Sequence, residues 1–230
     1  DLYKAFNADA TLYAKWTVKK PTITLDNQGA TTAGTETVEA TYGEDLQTIT
    51  VPTKTGYTFG GYYTGTNGSG TQYYFDDGTG VMRSDFEVAT TLYAKWTVNT
   101  YTVTLNQQSA TTDGTKSVNV NYGSAMPSIT LPKRTGYTFG GFYTSTSGSG
   151  TKYYNANGSS ARTYTLTSAT TLYAYWTKDT YTITYNNNGG TINTTPTTSY
   201  QYGNSVTLPD DVTRDGCTFG GWFDNANCEG

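Results

Sequence analysis

The chain has 230 residues, of which 14% are charged and 15% aromatic, with 22 tyrosines, 26 glycines, no histidine and a formal net charge of −4. An acidic chain with no basic face argues against nucleic-acid binding, and the lack of imidazole removes Ser-His-Asp, Cys-His and histidine-metal chemistry. No apolar run approaches the roughly 18–20 residues of a membrane helix.

In chain order the first recognisable block is Thr11-Leu-Tyr-Ala-Lys-Trp16, where Leu12, Ala14 and Trp16 share one face of a strand and Tyr13 and Lys15 the other. Ile23-Thr-Leu25 alternates apolar residues with threonine, and a second strand follows in Thr37–Tyr42, ended by Gly43. Glu44–Thr48 is short enough for one helical turn at most. After Pro52 comes Gly56-Tyr-Thr-Phe-Gly-Gly-Tyr-Tyr63, an aromatic strand whose glycines point to a bulge or a close-packed ring. The Ser/Gly run Thr66–Gly70 predicts a hairpin tip, Tyr73-Tyr-Phe75 the returning strand, and Thr91-Leu-Tyr-Ala-Lys-Trp96 a closing strand with Leu92 and Trp96 in the core.

The whole pattern then repeats. The glycine-aromatic block returns at Gly136–Tyr143 and Gly216–Phe223, and the closing block at Thr171–Trp176, each 80 positions after the last. This divides the chain into residues 1–16, the closing strand of a preceding repeat; residues 17–96, the first repeat; residues 97–176, the second; and residues 177–230, an incomplete third. The expected fold class is mainly β, as tandem small modules with little helix. A unit of about 80 residues has a modest core and gains from its neighbours.

Gly-Tyr-Thr-Phe-Gly-Gly-aromatic-Tyr, followed some 25–30 residues later by Thr-Leu-Tyr-Ala-x-Trp, resembles the Listeria-Bacteroides repeat, found in the B region of internalin B and in many other bacterial surface proteins. The resemblance implies β-grasp-like modules with a mixed sheet, set in series on a cell surface, and carries no catalytic residue and no cofactor. It implies a structural repeat region acting as a stalk, filament or adhesive array. The alternative is a module binding glycan or host protein through its loop tips and exposed tyrosines. The third repeat departs from the other two: Gly203 to Pro209 is three residues shorter than Gly123 to Pro132, and Pro209 to Gly216 is three longer than Pro132 to Gly136.

The acid pairs Glu44/Asp45, Asp76/Asp77 and Asp210/Asp211 fall in turns and do not recur in every repeat, since Ala156 and Asn157 stand at the positions of Asp76 and Asp77. Asp76-Asp-Gly78 and Asn155-Ala-Asn-Gly158 share a feature with calcium loops, but Asn or Asp before Gly is also the commonest turn pair. Neither reading names a catalytic or metal residue, and the chain is expected not to be an enzyme. Cys217 and Cys228, the only cysteines, make a candidate disulfide, with two free thiols or a partner elsewhere the alternatives. Tyr63, Tyr143 and the tips at Asn67 and Ser147 are the candidate ligand or interface positions. Asn67-Gly-Ser69, Asn157-Gly-Ser159 and Asn193-Thr-Thr195 fit a glycosylation acceptor pattern that this composition also produces by chance.

The ends of the sequence raise one more expectation. No signal peptide precedes Asp1, so the targeting and anchoring parts of a secreted protein are expected outside this sequence. Residues 1–16 offer a closing strand and the third repeat lacks one, so Leu12, Ala14 and Trp16 are candidates for strand exchange between identical chains arranged head to tail. The other reading is a window on a longer array, in which neighbouring repeats complete both partial units.

Overall fold

The computed structural model describes residues 4–228; the first three residues of the leading tail and the last two of the third repeat lie outside the described residues. The chain forms two compact units, residues 1–99 and 100–230, each taken here by itself.

Unit 1 is a single mixed sheet. It contains β1 (Thr22–Asp26), β2 (Thr37–Glu39), β3 (Tyr57–Tyr63), β4 (Gln72–Tyr74) and β5 (Thr90–Val98), in the order β2-β1-β5-β3-β4. The last strand in sequence is therefore the middle strand in space. β5 runs parallel to β1, with Leu25 opposite Leu92, and antiparallel to β3, with Phe59 opposite Trp96. Its alternation sends Leu92 and Ala94 into the core, where they are 0% and 2% exposed, and Trp96 packs on the core's edge. Ile23, Leu25, Val38, Phe59, Tyr62 and Tyr74 complete one cluster from every strand.

Unit 2 repeats this plan. β6 (Thr100–Asn106), β7 (Ser117–Asn121), β8 (Tyr137–Tyr143), β9 (Lys152–Tyr154) and β10 (Thr170–Lys178) form a sheet of order β7-β6-β10-β8-β9. β10 again lies between a parallel and an antiparallel neighbour. The core holds Val103, Leu105, Phe139, Phe142, Tyr153, Tyr154, Tyr164 and Leu172. Beyond it lie two short ribbons, β11 (Thr180–Thr182) with β13 (Ser199–Gln201) and β12 (Thr191–Ile192) with β14 (Val212–Thr213).

The glycines of the aromatic strand do two things. Pairing slips between Phe59 and Tyr62, and Gly61 takes φ +102 there; a Cβ on it would lie on the Tyr74 carbonyl oxygen. Gly60 and Gly68 instead leave room for a long side chain, because the Lys95 methylenes run past both. Tyr175 takes the same place against Gly140 and Gly148 in unit 2. The expected bulge and the expected close-packed ring are thus both present, at neighbouring glycines.

Helix is limited to single 3₁₀ turns at Thr66–Gly68 and Thr146–Gly148. The helical turn allowed for at Glu44–Thr48 and its counterpart Ser124–Ser128 is not formed. Those segments are extended and held by bridges from Asp45 to Arg83 and from Ala125 to Thr163. Tertiary pairing with a distant loop outcompetes one isolated turn, which is costly to nucleate.

Buried tyrosines give each core a polar liability that the two units handle differently. The Tyr154 hydroxyl donates to the Pro127 carbonyl at 2.9 Å, whereas the buried Tyr74 hydroxyl has no partner among the described residues. Tyr154→Phe is expected to cost about 1 kcal/mol in urea denaturation and Tyr74→Phe close to nothing. Equal losses at both positions would show that the Tyr74 hydroxyl is satisfied after all.

Burial pushes the Tyr74 and Tyr154 phenols up to about 12, and burial with a hydrogen bond to the Asp85 carboxylate does the same for Tyr73. The unfolded chain ionises these groups near pH 10, so their contribution to stability is full below pH about 10 and is lost as pH rises toward about 12. Tyrosinate absorbance should show exposed tyrosines titrating first and the buried set appearing only with loss of the near-ultraviolet dichroism of the fold. A single titration near pH 10 with the fold intact would contradict the burial.

Candidate interaction site

The expected interface tyrosines are built into their own modules. Tyr63 lies at the end of β3 with its hydroxyl 3.3 Å from the Gly60 carbonyl and Lys95 Nζ 5.6 Å from its ring. Tyr143 meets Tyr175 edge to face at 5.9 Å, with Lys152 Nζ 5.5 Å from its ring. Both rings are half-buried and partnered. Asn67 and Ser147 stand exposed at the tips with φ +57 and +60, each inside its 3₁₀ turn.

Among the acid pairs, Asp45 meets Arg83 at 3.3 Å and Asp211 accepts from Asn193 Nδ2 at 2.9 Å, while the turn at Asp77 is closed on itself. Asp77 Oδ1 accepts from the Thr79 amide at 2.8 Å and the Thr79 hydroxyl at 2.6 Å, and these hydrogen bonds hold its carboxyl below the usual range. Asn157 makes the same two bonds with Ser159, at 3.0 and 2.7 Å. Among the described residues no three acids or cysteines come together as a metal site.

A concave site does appear in the third repeat. In units 1 and 2 the closing tryptophan donates from Nε1 to a carbonyl after the first strand: Trp96 to Asn27 at 3.0 Å and Trp176 to Gln107 at 2.9 Å. The same tryptophans sit against the phenylalanine of the aromatic strand, Trp96 on Phe59 at 5.4 Å and Trp176 on Phe139 at 5.3 Å. In the third repeat the counterparts of that carbonyl and ring are Asn187 and Phe219. Both line a groove of about 530 Å³ that runs between Thr184–Asn188 on one side and Cys217–Asp224 on the other.

The groove walls carry little regular strand. β11 covers three residues where β6 covers seven, and 217–223 carries no strand although its counterparts β3 and β8 do. Phe219 is 37% exposed, against 8% for Phe59 and 9% for Phe139. Trp222 lines the groove and meets Tyr185 edge to face at 4.9 Å and Phe219 edge to face at 5.4 Å, with Nε1 donating to the Pro209 carbonyl at 2.7 Å. The repeat meets its neighbour through the Tyr202 ring, which lies against Gly136 and Tyr137, while the Tyr202 amide donates to the Asp179 carbonyl of the same repeat at 2.9 Å.

Cys217 and Cys228 both line this groove as free, exposed thiols. The candidate disulfide partners are not bonded to each other in this structure, and their counterparts in the complete repeats, Tyr57 with Gly68 and Tyr137 with Gly148, lie at the start of a strand and at its hairpin tip. At the other end of the chain, Leu12 is 73% and Trp16 89% exposed, and Ala14 is exposed beside them. Among the described residues, 4–18 make no backbone hydrogen bond. Periodicity located these three residues, but nothing in the sequence distinguished the groove from the loops around it.

The Listeria-Bacteroides repeat domain matches the chain three times, at residues 22–95, 101–175 and 181–230. The chain is 28% identical over 218 residues to a protein of Evansella cellulosilytica described as "Putative membrane protein", covering 93% of this chain and 29% of that protein. It is 36% identical over 136 residues to Internalin H of Listeria monocytogenes, covering 59% of this chain and 22% of that protein. The chain thus spans less than a third of the length of these relatives. The three matches account for most of the residues, and the chain belongs to the Listeria-Bacteroides repeat family.

Proposed function

We propose that this chain is a load-bearing repeat region, a stalk set in series on a bacterial cell surface or in an extracellular assembly, and that it is not an enzyme. The observation that carries this reading is the parallel pairing of the first and last strands of each complete module. β1 and β5 lie side by side with Ile23 opposite Thr90 and Asp26 opposite Tyr93, and β6 and β10 repeat the arrangement. Tension along the chain pulls β1 toward its start and β5 toward its end. Parallel neighbours then slide past one another, so all the hydrogen bonds between them carry the load together rather than one at a time.

The register gives each module a span of about 30 Å along the strand direction, from nine residues at ~3.3 Å each. The module reads as β-grasp-like with its helix replaced by loops, on an 80-residue period. The matched internalin and membrane protein support a place in the cell envelope. The packing of Tyr63 and Tyr143 on their own modules favours the stalk over glycan or host-protein binding at those rings.

Single-molecule pulling tests this. Drawn through its ends, each complete module is expected to open in one event and release about 250 Å of chain, from roughly 80 residues at ~3.6 Å less the folded span. Handles at Thr55 and Val98 instead load the β3–β5 pair at its open end, where Tyr57 faces Val98, and are expected to unzip the module at a several-fold lower force. Equal forces in the two geometries would remove the basis for the stalk.

A further inference from the structure

We propose that a second cleft, on the complete module of unit 2, binds an acidic saccharide, a short chain of uronate sugars being the class it fits. The cleft has a volume of about 510 Å³ and lies over Tyr137, Phe139 and Trp176. That volume is within the range of ligand clefts, ~300–1,000 Å³. Tyr137 and Trp176 are half-buried, so part of each ring faces solvent. A sugar ring offers a face of C–H bonds to such an aromatic floor and hydroxyls to a polar rim, which here carries Thr111, Thr112 and Thr135.

Charge selects the acidic sugar over a neutral one. Lys133 and Arg134 line the cleft and no acid does, while Asp113, next to Thr112 in sequence, is taken up by Lys116 at 2.7 Å. In a chain of net charge −4 this is a local reversal of sign. Arg134 is held in place, with its guanidinium 3.9 Å from the Tyr137 ring centre and Nη1 donating to the Gln108 carbonyl at 3.3 Å. A planar fork oriented in this way suits a carboxylate.

The main chain of the walls is already spent. The Thr111 and Thr112 amides donate to the Lys133 carbonyl at 2.7 and 3.1 Å, the Lys133 amide returns to the Thr112 carbonyl at 2.9 Å, and the Thr135 amide donates to the Thr111 hydroxyl at 3.2 Å. No strand edge is open there to a peptide, so recognition falls to rings, hydroxyls and the guanidinium. Unit 1 has the same frame with different cations, Thr53 and Lys54 standing for Lys133 and Arg134. Lys54 Nζ lies 4.9 Å from the Tyr57 ring and 5.8 Å from that of Trp96, and donates to the Gln28 carbonyl at 3.0 Å. A point charge lying over the tryptophan lacks the fork, which assigns the site to unit 2.

Titration of the isotopically labelled chain with tetragalacturonate, followed at the indole N–H resonances of Trp176 and Trp96, tests the site. The expected result is a saturable shift at Trp176 with Trp96 unmoved. A neutral glucose tetrasaccharide is expected to bind at least about tenfold more weakly, and a tetraglutamate peptide to give no saturable shift. Arg134→Lys puts into unit 2 the residue with which unit 1 already folds, so its near-ultraviolet dichroism should be unchanged while affinity falls about tenfold. No shift at Trp176 overturns the proposal, and so does equal binding of the neutral sugar or an affinity unchanged by Arg134→Lys. Tetraglutamate binding as well as the uronate means that charge alone is read, and overturns the saccharide assignment. The proposal does not rest on the stalk, and none of these outcomes touches the pulling experiment.

Discussion

Each module depends on a strand that is last in sequence and central in space. β5 separates β1 from β3, so before it arrives the first four strands form two disconnected pairs with an apolar gap between them. Leu92 and Ala94 fill that gap, and Trp96 fastens its far side by a hydrogen bond to Asn27, 69 residues earlier in the chain. Closure over so long a loop costs entropy that no local contact offsets, which makes folding of a module all-or-none around its last strand.

The third repeat is less regular than the other two. Its sequence carries the aromatic strand, the bulge glycines and the first strand, yet 217–223 stays out of a sheet and Phe219 stays open. Placement of the first and last strands as parallel neighbours has a second consequence, because it turns the same hydrogen bonds that complete the core into the ones that tension loads. Closure and load-bearing are one set of contacts.

Variation between the repeats reaches the core, where Ser84 and Tyr62 of unit 1 correspond to Tyr164 and Phe142 of unit 2, and also falls where the geometry leaves room. Position 95 is Lys in unit 1 and its counterpart 175 is Tyr in unit 2, and both lie in a channel kept clear by two glycines. A flexible amphipathic stem and a flat ring each fit such a channel. The positions that do not vary in kind are those pinned from several sides, such as Leu92 and Leu172, or Gly61 and Gly141 against a carbonyl.

Much of this was legible in the residues. Period-two alternation located most of the strands, the inward face of Leu-x-Ala-x-Trp and the bulge at paired glycines, because those follow from the pleat and from the absence of a Cβ. The repeat itself was plain from two markers at one spacing. Strand order was not legible, since nothing local tells a closing strand to enter the middle of a sheet rather than join its edge. Nor were the partners of Tyr63 and Tyr143, which are set by a hairpin tip folding back over position 95 or 175. The groove of the third repeat likewise lies between segments that are distant in the sequence. The sequence by itself determined which segments are strands and which faces are apolar, through period and side-chain volume. The tertiary structure alone decided which segments meet, because pairing depends on main-chain edges that become available only when distant parts of the chain have already come together.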